Sequence, residues 1–154
     1  MTTIRALVAG VGNALYGDDG FGDEVVRRLA GRLPDDVALR SFGIRAFDLA
    51  SALMDGVPEA ILIDAMRRGG APGTLYLIEP TVDEVGTRTP SPHALDPVQV
   101  LAMVRASTGR LPRLRVLGCE PALVDEMTIG LSAPVEAAVG PACRMIEELL
   151  GGAG

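Results

Sequence analysis

VAGVGNALYGDDGFGDEVV, residues 8–26, is the stretch that decides the fold. It joins an apolar run at 4–9 to a helical pattern through a loop rich in glycine. Glycines that follow a strand allow a tight turn and a close approach of the backbone to its neighbours. The stretch therefore predicts the first strand, loop and helix of an α/β protein.

The loop in this stretch carries two adjacent carboxylates, Asp18 and Asp19, which argue against a nucleotide site. A dinucleotide fingerprint would need a third glycine at the position of Leu15. A phosphate loop would need a lysine and a hydroxyl residue where the two aspartates stand. Carboxylates repel phosphate and bind metal ions, so the loop favours a metal ion as its ligand.

The rest of the chain continues the alternation of strands and helices that this stretch begins. Apolar runs predict five strands, at residues 4–9, 37–42, 60–64, 74–78 and 113–119. Apolar positions at helical spacing predict four helices, at about 23–33, 45–54, from 97 onward and 132–150. Such alternation is typical of an open, mostly parallel sheet with helices on both faces.

The fourth strand is expected to run against the other four. Only the nine residues 65–73 separate it from the third strand, and they include the pairs Gly69-Gly70 and Pro72-Gly73. A parallel crossover usually needs a dozen or more residues, so this connection favours an antiparallel strand. Its less apolar pattern fits the edge of the sheet.

Composition and length place the chain among ordinary globular proteins. We expect one domain over residues 1–154, with 48% hydrophobic and 22% charged residues. The net charge of −6 and the absence of a basic block argue against nucleic acid. No apolar stretch approaches about 18 residues and the N-terminus lacks the pattern of a targeting segment, so we expect a cytoplasmic protein without a membrane span. We also expect a monomer. The two cysteines, Cys119 and Cys143, lack metal-site spacing and are interpreted as buried free thiols.

Three side chains are expected to converge at the carboxyl edge of the sheet. Ligands of open α/β sheets bind there, at the point where the strand order reverses. If the first strand lies between the second and third, Asp19 and Asp64 face each other. His93, the only histidine, lies in a long loop at 79–96 that could span roughly 45 Å and return to them.

This set of two carboxylates and one imidazole suits nickel, zinc, iron or manganese without choosing among them. Simpler roles compete with the metal site. A lone aspartate at a strand tip is often a turn former, and a lone loop histidine is usually solvated. Asp18 could merely offset the dipole of the first helix.

Five segments in order resemble the [NiFe]-hydrogenase maturation endopeptidases. They are GVGNALYGDDGFG at 10–22, AILIDAM at 60–66, APGTLYLIEP at 71–80, SPHALDPVQVL at 91–101 and TIGLSAPVEAAV at 128–139. The resemblance covers nearly the whole chain. It implies a three-layer α/β/α sandwich of the phosphorylase/hydrolase-like type, with a five-stranded sheet and one antiparallel strand.

The resemblance also implies a function and its residues. Members remove a C-terminal peptide from the hydrogenase large-subunit precursor after nickel insertion, so that precursor is the implied partner. The metal-binding and catalytic positions of the family fall on Asp19, Asp64 and His93. Nickel would be supplied by the substrate, and no organic cofactor is expected. Where many members carry an Asp-Gly-Gly-Thr turn after the second strand, this chain reads Ser41-Phe42-Gly43-Ile44, so a role for that aspartate does not carry over.

Two other functions stay open at this point. One is an independent metal-dependent hydrolase of small amides or peptides that holds its own ion. The other is a nickel-sensing or scaffold module of hydrogenase assembly that does not cleave. The chain has no Gly-x-Ser-x-Gly elbow and no His-Glu-x-x-His helix, so neither a serine hydrolase nor a helix-borne zinc protease is indicated.

Overall fold

The computed structural model describes residues 3–80, 97–122 and 127–151. Five strands form one sheet: β1 Ala6–Val11, β2 Val37–Gly43, β3 Glu59–Ala65, β4 Leu75–Ile78 and β5 Arg113–Cys119. Four α-helices accompany them: α1 Phe21–Leu29, α2 Ala46–Met54, α3 Pro97–Thr108 and α4 Ala133–Gly151. A single 3-10 turn, Gly17–Gly20, precedes α1.

The sheet has the strand order β2-β1-β3-β5-β4. β1 pairs in parallel with β2 and β3, β3 pairs in parallel with β5, and β4 pairs antiparallel with β5. The prediction of one antiparallel strand at the edge is therefore confirmed. So is the position of β1 between β2 and β3, which places the reversal of strand order next to β1.

Two apolar cores, one on each face of the sheet, make the molecule a three-layer sandwich. Alternate residues of β1 serve opposite faces, since neighbouring side chains of a strand point in opposite directions. Ala6 and Val8 join the core under α1 and α4, and Leu7 and Ala9 join the core under α2 and α3. No helix in the described ranges is long and apolar enough to cross a bilayer.

The end of the first helix was predicted wrongly. The apolar spacing predicted a helix that reaches about Leu33, whereas α1 ends at Leu29. Gly31 adopts a φ of +80°, a left-handed conformation that terminates helices. Leu33 still packs against the core, so this apolar residue marks a buried position that lies outside the helix.

Two glycines let α1 pack tightly onto the ends of β1 and β3. A Cβ on Gly22 would lie 2.7 Å from the carbonyl oxygen of Val11 and closer still to that of Ile63. A Cβ on Gly10 would lie 2.6 Å from the carbonyl oxygen of Gly22. Backbone therefore contacts backbone here, and the turn that precedes α1 is held directly over the carboxyl ends of two neighbouring strands.

Gly22→Ala is predicted to lower the free energy of unfolding by about 1–3 kcal/mol, because backbone atoms must move to admit the methyl group. Gly140→Ala in α4 is the matched control, since a Cβ there would meet no atom closer than 3.6 Å. That control should change the free energy of unfolding by less than about 1 kcal/mol, because the helix propensity gained with Ala is opposed by crowding between its Cβ and the ring of Pro141. Urea denaturation measures both. Equal effects of the two substitutions would contradict the packing argument.

Candidate functional site

The predicted acids lie together at the carboxyl edge of the sheet. Asp19 lies in the turn that follows β1, and Asp64 is the penultimate residue of β3. Gly10 of β1 pairs with Ile63 of β3, so the two strands reach this edge at the same level. Both aspartates are partly buried. The prediction that these two side chains face one region is thus confirmed by their placement.

Local hydrogen bonds fix the position of the Asp19 carboxylate. The backbone N–H of Asn13 donates to Asp19 Oδ2 at 2.6 Å, and Asn13 Oδ1 accepts from the N–H of Leu15 at 2.9 Å. Gly12 has a φ of +115°, and a Cβ there would collide with the carbonyl oxygen of Asp19. Gly12 is therefore needed both for the conformation of the turn and for the position of the Asp19 carboxylate.

Burial and the charge of Asp19 disfavour the charged form of Asp64. Burial raises the pKa of Asp64 well above its ordinary value of 3.8, and the neighbouring charge of Asp19 raises it further, against a backbone hydrogen bond at Ala65. Burial also raises the pKa of Asp19, with the Asn13 hydrogen bond acting in the opposite direction. Neither acid forms an ion pair with another residue in the described ranges. A cation held between them would relieve this repulsion, so the pair fits a metal-binding role.

The third predicted ligand, His93, and its loop at 79–96 fall almost wholly outside the described residues. Within the described ranges, no group of three or more His, Cys, Asp or Glu side chains is arranged to hold a metal ion. The structure therefore brings together two of the three predicted residues. The role of His93 stays a prediction.

Asp18, the neighbour of Asp19, has a structural task that the sequence did not reveal. Its side chain is fully buried and accepts hydrogen bonds from the N–H of Ala122, at 2.8 Å, and from the N–H and hydroxyl of Ser132, at 2.7 and 2.8 Å. These two residues flank the connection between β5 and α4. Asp18 thus ties the Asp19 turn to that connection, and an offset of the helix dipole is at most a secondary effect.

Glu120 is a second structural acid that sequence reasoning missed. It follows β5, and its Oε1 accepts hydrogen bonds from the N–H groups of Arg68 and Gly70 and from the hydroxyl of Tyr76. These bonds, led by that of Arg68, lower the pKa of the Glu120 carboxyl. The available signal was an acidic residue directly after an apolar strand. The Glu120 side chain holds the connection that follows Asp64.

The cysteines are confirmed as buried free thiols. Burial raises the pKa of Cys119 to about 11 and also raises the pKa of Cys143. Both side chains are therefore neutral thiols at physiological pH, and the thiolate is the nucleophilic form. Neither residue is a candidate nucleophile.

A cleft of about 550 Å³ opens beside the Asp19 turn. It is lined by Gly12, Asn13, Ala14, Asp23, Ser41, Phe42, Gly43, Ile44 and Arg45. Ser41, which stands where many members of the resembled family carry aspartate, donates its hydroxyl to Asp23 Oδ1 at 2.9 Å. A carboxylate thus lines this cleft after all, although it comes from α1 and not from the turn after β2.

Comparison with known proteins agrees with this architecture. A family model described as hydrogenase maturation protease matches residues 24–149. The hydrogenase 2 maturation protease of Escherichia coli K12 is 34% identical over 148 residues, covering 93% of this chain and 88% of that protein. The hydrogenase expression/formation protein HoxM of Azotobacter vinelandii is 34% identical over 157 residues, covering 97% and 74%. The structure of the hydrogenase maturating endopeptidase HybD from E. coli matches with a TM-score of 0.85 and 32% identity, covering 98% and 94% of the two chains.

Asp18→Ala is predicted to lower the free energy of unfolding by about 3 kcal/mol, because three donors lose a buried charged acceptor. Asp35→Ala removes an exposed aspartate and should leave stability within about 0.5 kcal/mol of wild type. Chemical denaturation of both variants measures the difference. Wild-type stability of Asp18→Ala would show that the three hydrogen bonds do not hold the loops together.

Asp64→Asn is predicted to stabilise the protein at pH 7 and to lose this advantage in acid. Because the pKa of Asp64 is raised on folding, the folded state binds the extra proton, and stability falls as pH rises above about 3.8. The neutral amide removes that ionisation cost. Thermal unfolding of wild type and variant at pH 7 and at pH 3.5 measures the effect. The raised pKa would be contradicted if the stability advantage of Asp64→Asn over wild type were smaller at pH 7 than at pH 3.5.

Proposed function

We propose, on the premise that this chain belongs to the hydrogenase maturation protease family, that it removes the C-terminal extension of a [NiFe]-hydrogenase large-subunit precursor after nickel insertion. The family consists of peptide hydrolases, and this chain is one of them. The observation that carries the finer proposal is the pair Asp19 and Asp64, two coupled carboxylates without a cationic partner in the described ranges.

The metal that such a pair would meet is the nickel of the precursor. The two carboxylates come from rigid supports, a hydrogen-bonded turn and a central strand, so they are preorganised for a ligand. His93 is the proposed third ligand. Recognition of nickel would act as a checkpoint, since a precursor without nickel leaves the repulsion between Asp19 and Asp64 unrelieved.

The same residues supply a route for the hydrolysis. Because its pKa is raised, Asp64 holds a proton more readily than an exposed aspartate, which suits a group that takes up and returns a proton. In this route a water oxygen attacks the scissile carbonyl carbon and its proton passes to Asp64. The proton then moves to the leaving amine nitrogen as the C–N bond breaks. The substrate's nickel can polarise the carbonyl in the same step.

The cleft beside the turn is the proposed seat of the C-terminal segment. It borders Asn13, whose N–H holds Asp19, so a chain that lies in it passes directly beside that carboxylate. Its volume is in the ordinary range for binding pockets, roughly 300–1,000 Å³. The Ser41–Asp23 hydrogen bond contributes a hydroxyl and a carboxylate to the lining of this cleft.

The proposal predicts that Asp19→Ala, Asp64→Ala and His93→Ala each reduce processing by roughly a hundredfold or more, because each removes a group that acts on the reacting centre. Wild type should process nickel-loaded precursor and leave nickel-free precursor almost uncut. The assay mixes purified protease with either form of the precursor and follows the size shift on a gel. Asp35→Ala removes an exposed aspartate just before the start of β2, at the end of the strand opposite to the carboxyl edge, and this control should cleave normally.

Other outcomes of this assay would assign a different function. Equal cleavage of both precursor forms would refute the nickel checkpoint. Stoichiometric metal in the purified protease, together with cleavage of small amides, would favour the independent hydrolase. Nickel-dependent association without release of a peptide would favour the non-cleaving module.

A further inference from the structure

We propose that Leu15, Met127 and Ile129 form a docking face that grips apolar side chains of the precursor beside the scissile bond. The proposal rests on the proposed function, because it names the surface on which that substrate is held. We refer to residues 15–17 and 127–129 together as the apolar ribbon.

The apolar ribbon is a short two-stranded structure. Tyr16 forms a parallel bridge with Thr128. The N–H of Gly17 donates to the carbonyl oxygen of Thr128 at 2.7 Å, and the N–H of Thr128 donates to the carbonyl oxygen of Leu15 at 2.8 Å. This pairing places Leu15 beside the segment that carries Met127 and Ile129.

The ribbon carries large apolar side chains that are exposed to solvent. Leu15 is 49% exposed, Met127 is 70% exposed and Ile129 is 85% exposed. No charged residue occurs in either half of the ribbon, although the chain as a whole has a net charge of −6. Clustered exposed side chains of this kind mark interaction sites in globular proteins. We therefore expect their partner to present apolar side chains.

The exposure of this face is fixed by hydrogen bonds. The bridge holds the two halves together, and Asp18 holds Ala122 and Ser132, which flank the segment that carries Met127 and Ile129. A surface that is ordered before binding loses less conformational entropy when a partner covers it. The buried Asp18 carboxylate thus serves as a positioning residue for the ribbon.

Continuity with the Asp19 carboxylate identifies the occupant. Asn13 accepts a hydrogen bond from the N–H of Leu15 and donates its own N–H to Asp19, so two hydrogen bonds link the ribbon to the site. A protein whose peptide bond reaches Asp19 must cover the surface next to it. The substrate precursor meets this condition, and apolar residues near its cleavage point are the part that would reach the ribbon.

The test measures the Kd of the nickel-loaded precursor and the kcat and KM of its cleavage. Ile129→Asp should raise Kd and KM about tenfold or more with kcat within about twofold, since a lost apolar contact weakens binding without altering the chemistry. The neutral double variant Met127→Ser with Ile129→Ser should act in the same direction. Leu111→Asp, 38% exposed and located before β5 at the opposite edge of the sheet, makes the same charge change and should leave all three constants unchanged.

Two results would overturn the docking face. In the first, both ribbon variants have the same Kd and KM as the wild-type enzyme, and the wild-type enzyme cleaves normally. The proposed function then stands and the ribbon proposal alone fails. In the second, the wild-type protein sediments as a dimer, and the ribbon variants abolish the dimer without weakening precursor binding. The ribbon would then be a contact between two copies of this chain. Because Kd is measured apart from cleavage, a wild type that binds but does not cleave tests the ribbon independently of the proposed function.

Discussion

The direct contact between the backbone of α1 and the ends of β1 and β3 is the constraint on which the site depends. Gly10 and Gly22 have no side chains, and a methyl group at either position would collide with carbonyl oxygens. The approach is closer than side chains would permit, so it seats the Asp19 turn directly above the central strands. Asp64 at the tip of β3 is thereby placed beside it.

Four acidic residues near this edge divide into two pairs with opposite energetics. Among the described residues, Asp18 accepts hydrogen bonds from Ala122 and Ser132, and Glu120 accepts them from residues 68, 70 and 76, so each acid connects loops that are distant in sequence. Asp19 and Asp64 are partly buried, and the charge of Asp19 raises the pKa of Asp64. The first pair stabilises the frame, and the frame holds the second pair, which forms no ion pair within the described ranges, at a cost in stability that a cation would offset. Such a division is expected where function demands charge without a partner inside the protein.

Local patterns predicted much of the fold, and the limits of the prediction are physical. Burial of β1 and β3 on both faces produced apolar runs that mark strands unambiguously, and the short connection at 65–73 excluded a crossover before β4. Helix α1 ended early because Gly31 is left-handed, which apolar spacing does not report. The partners of Asp18 lie more than a hundred residues away, so no local pattern could identify them. Asp19 and Asp64 were predictable because parallel strands present their ends at one edge, while His93 lies outside the residues that the structure describes.

X-ray absorption at the nickel edge tests the central claim most directly, because it observes the metal and not the cleavage. The spectrum of the nickel-loaded precursor would be recorded alone, with wild-type protease at a temperature at which cleavage is slow, and with Asp64→Ala. The account predicts new oxygen or nitrogen scatterers at about 2.0–2.2 Å in the wild-type complex, weakened in the Asp64→Ala complex. A nickel spectrum that stays the same when the wild-type protease is bound would contradict it.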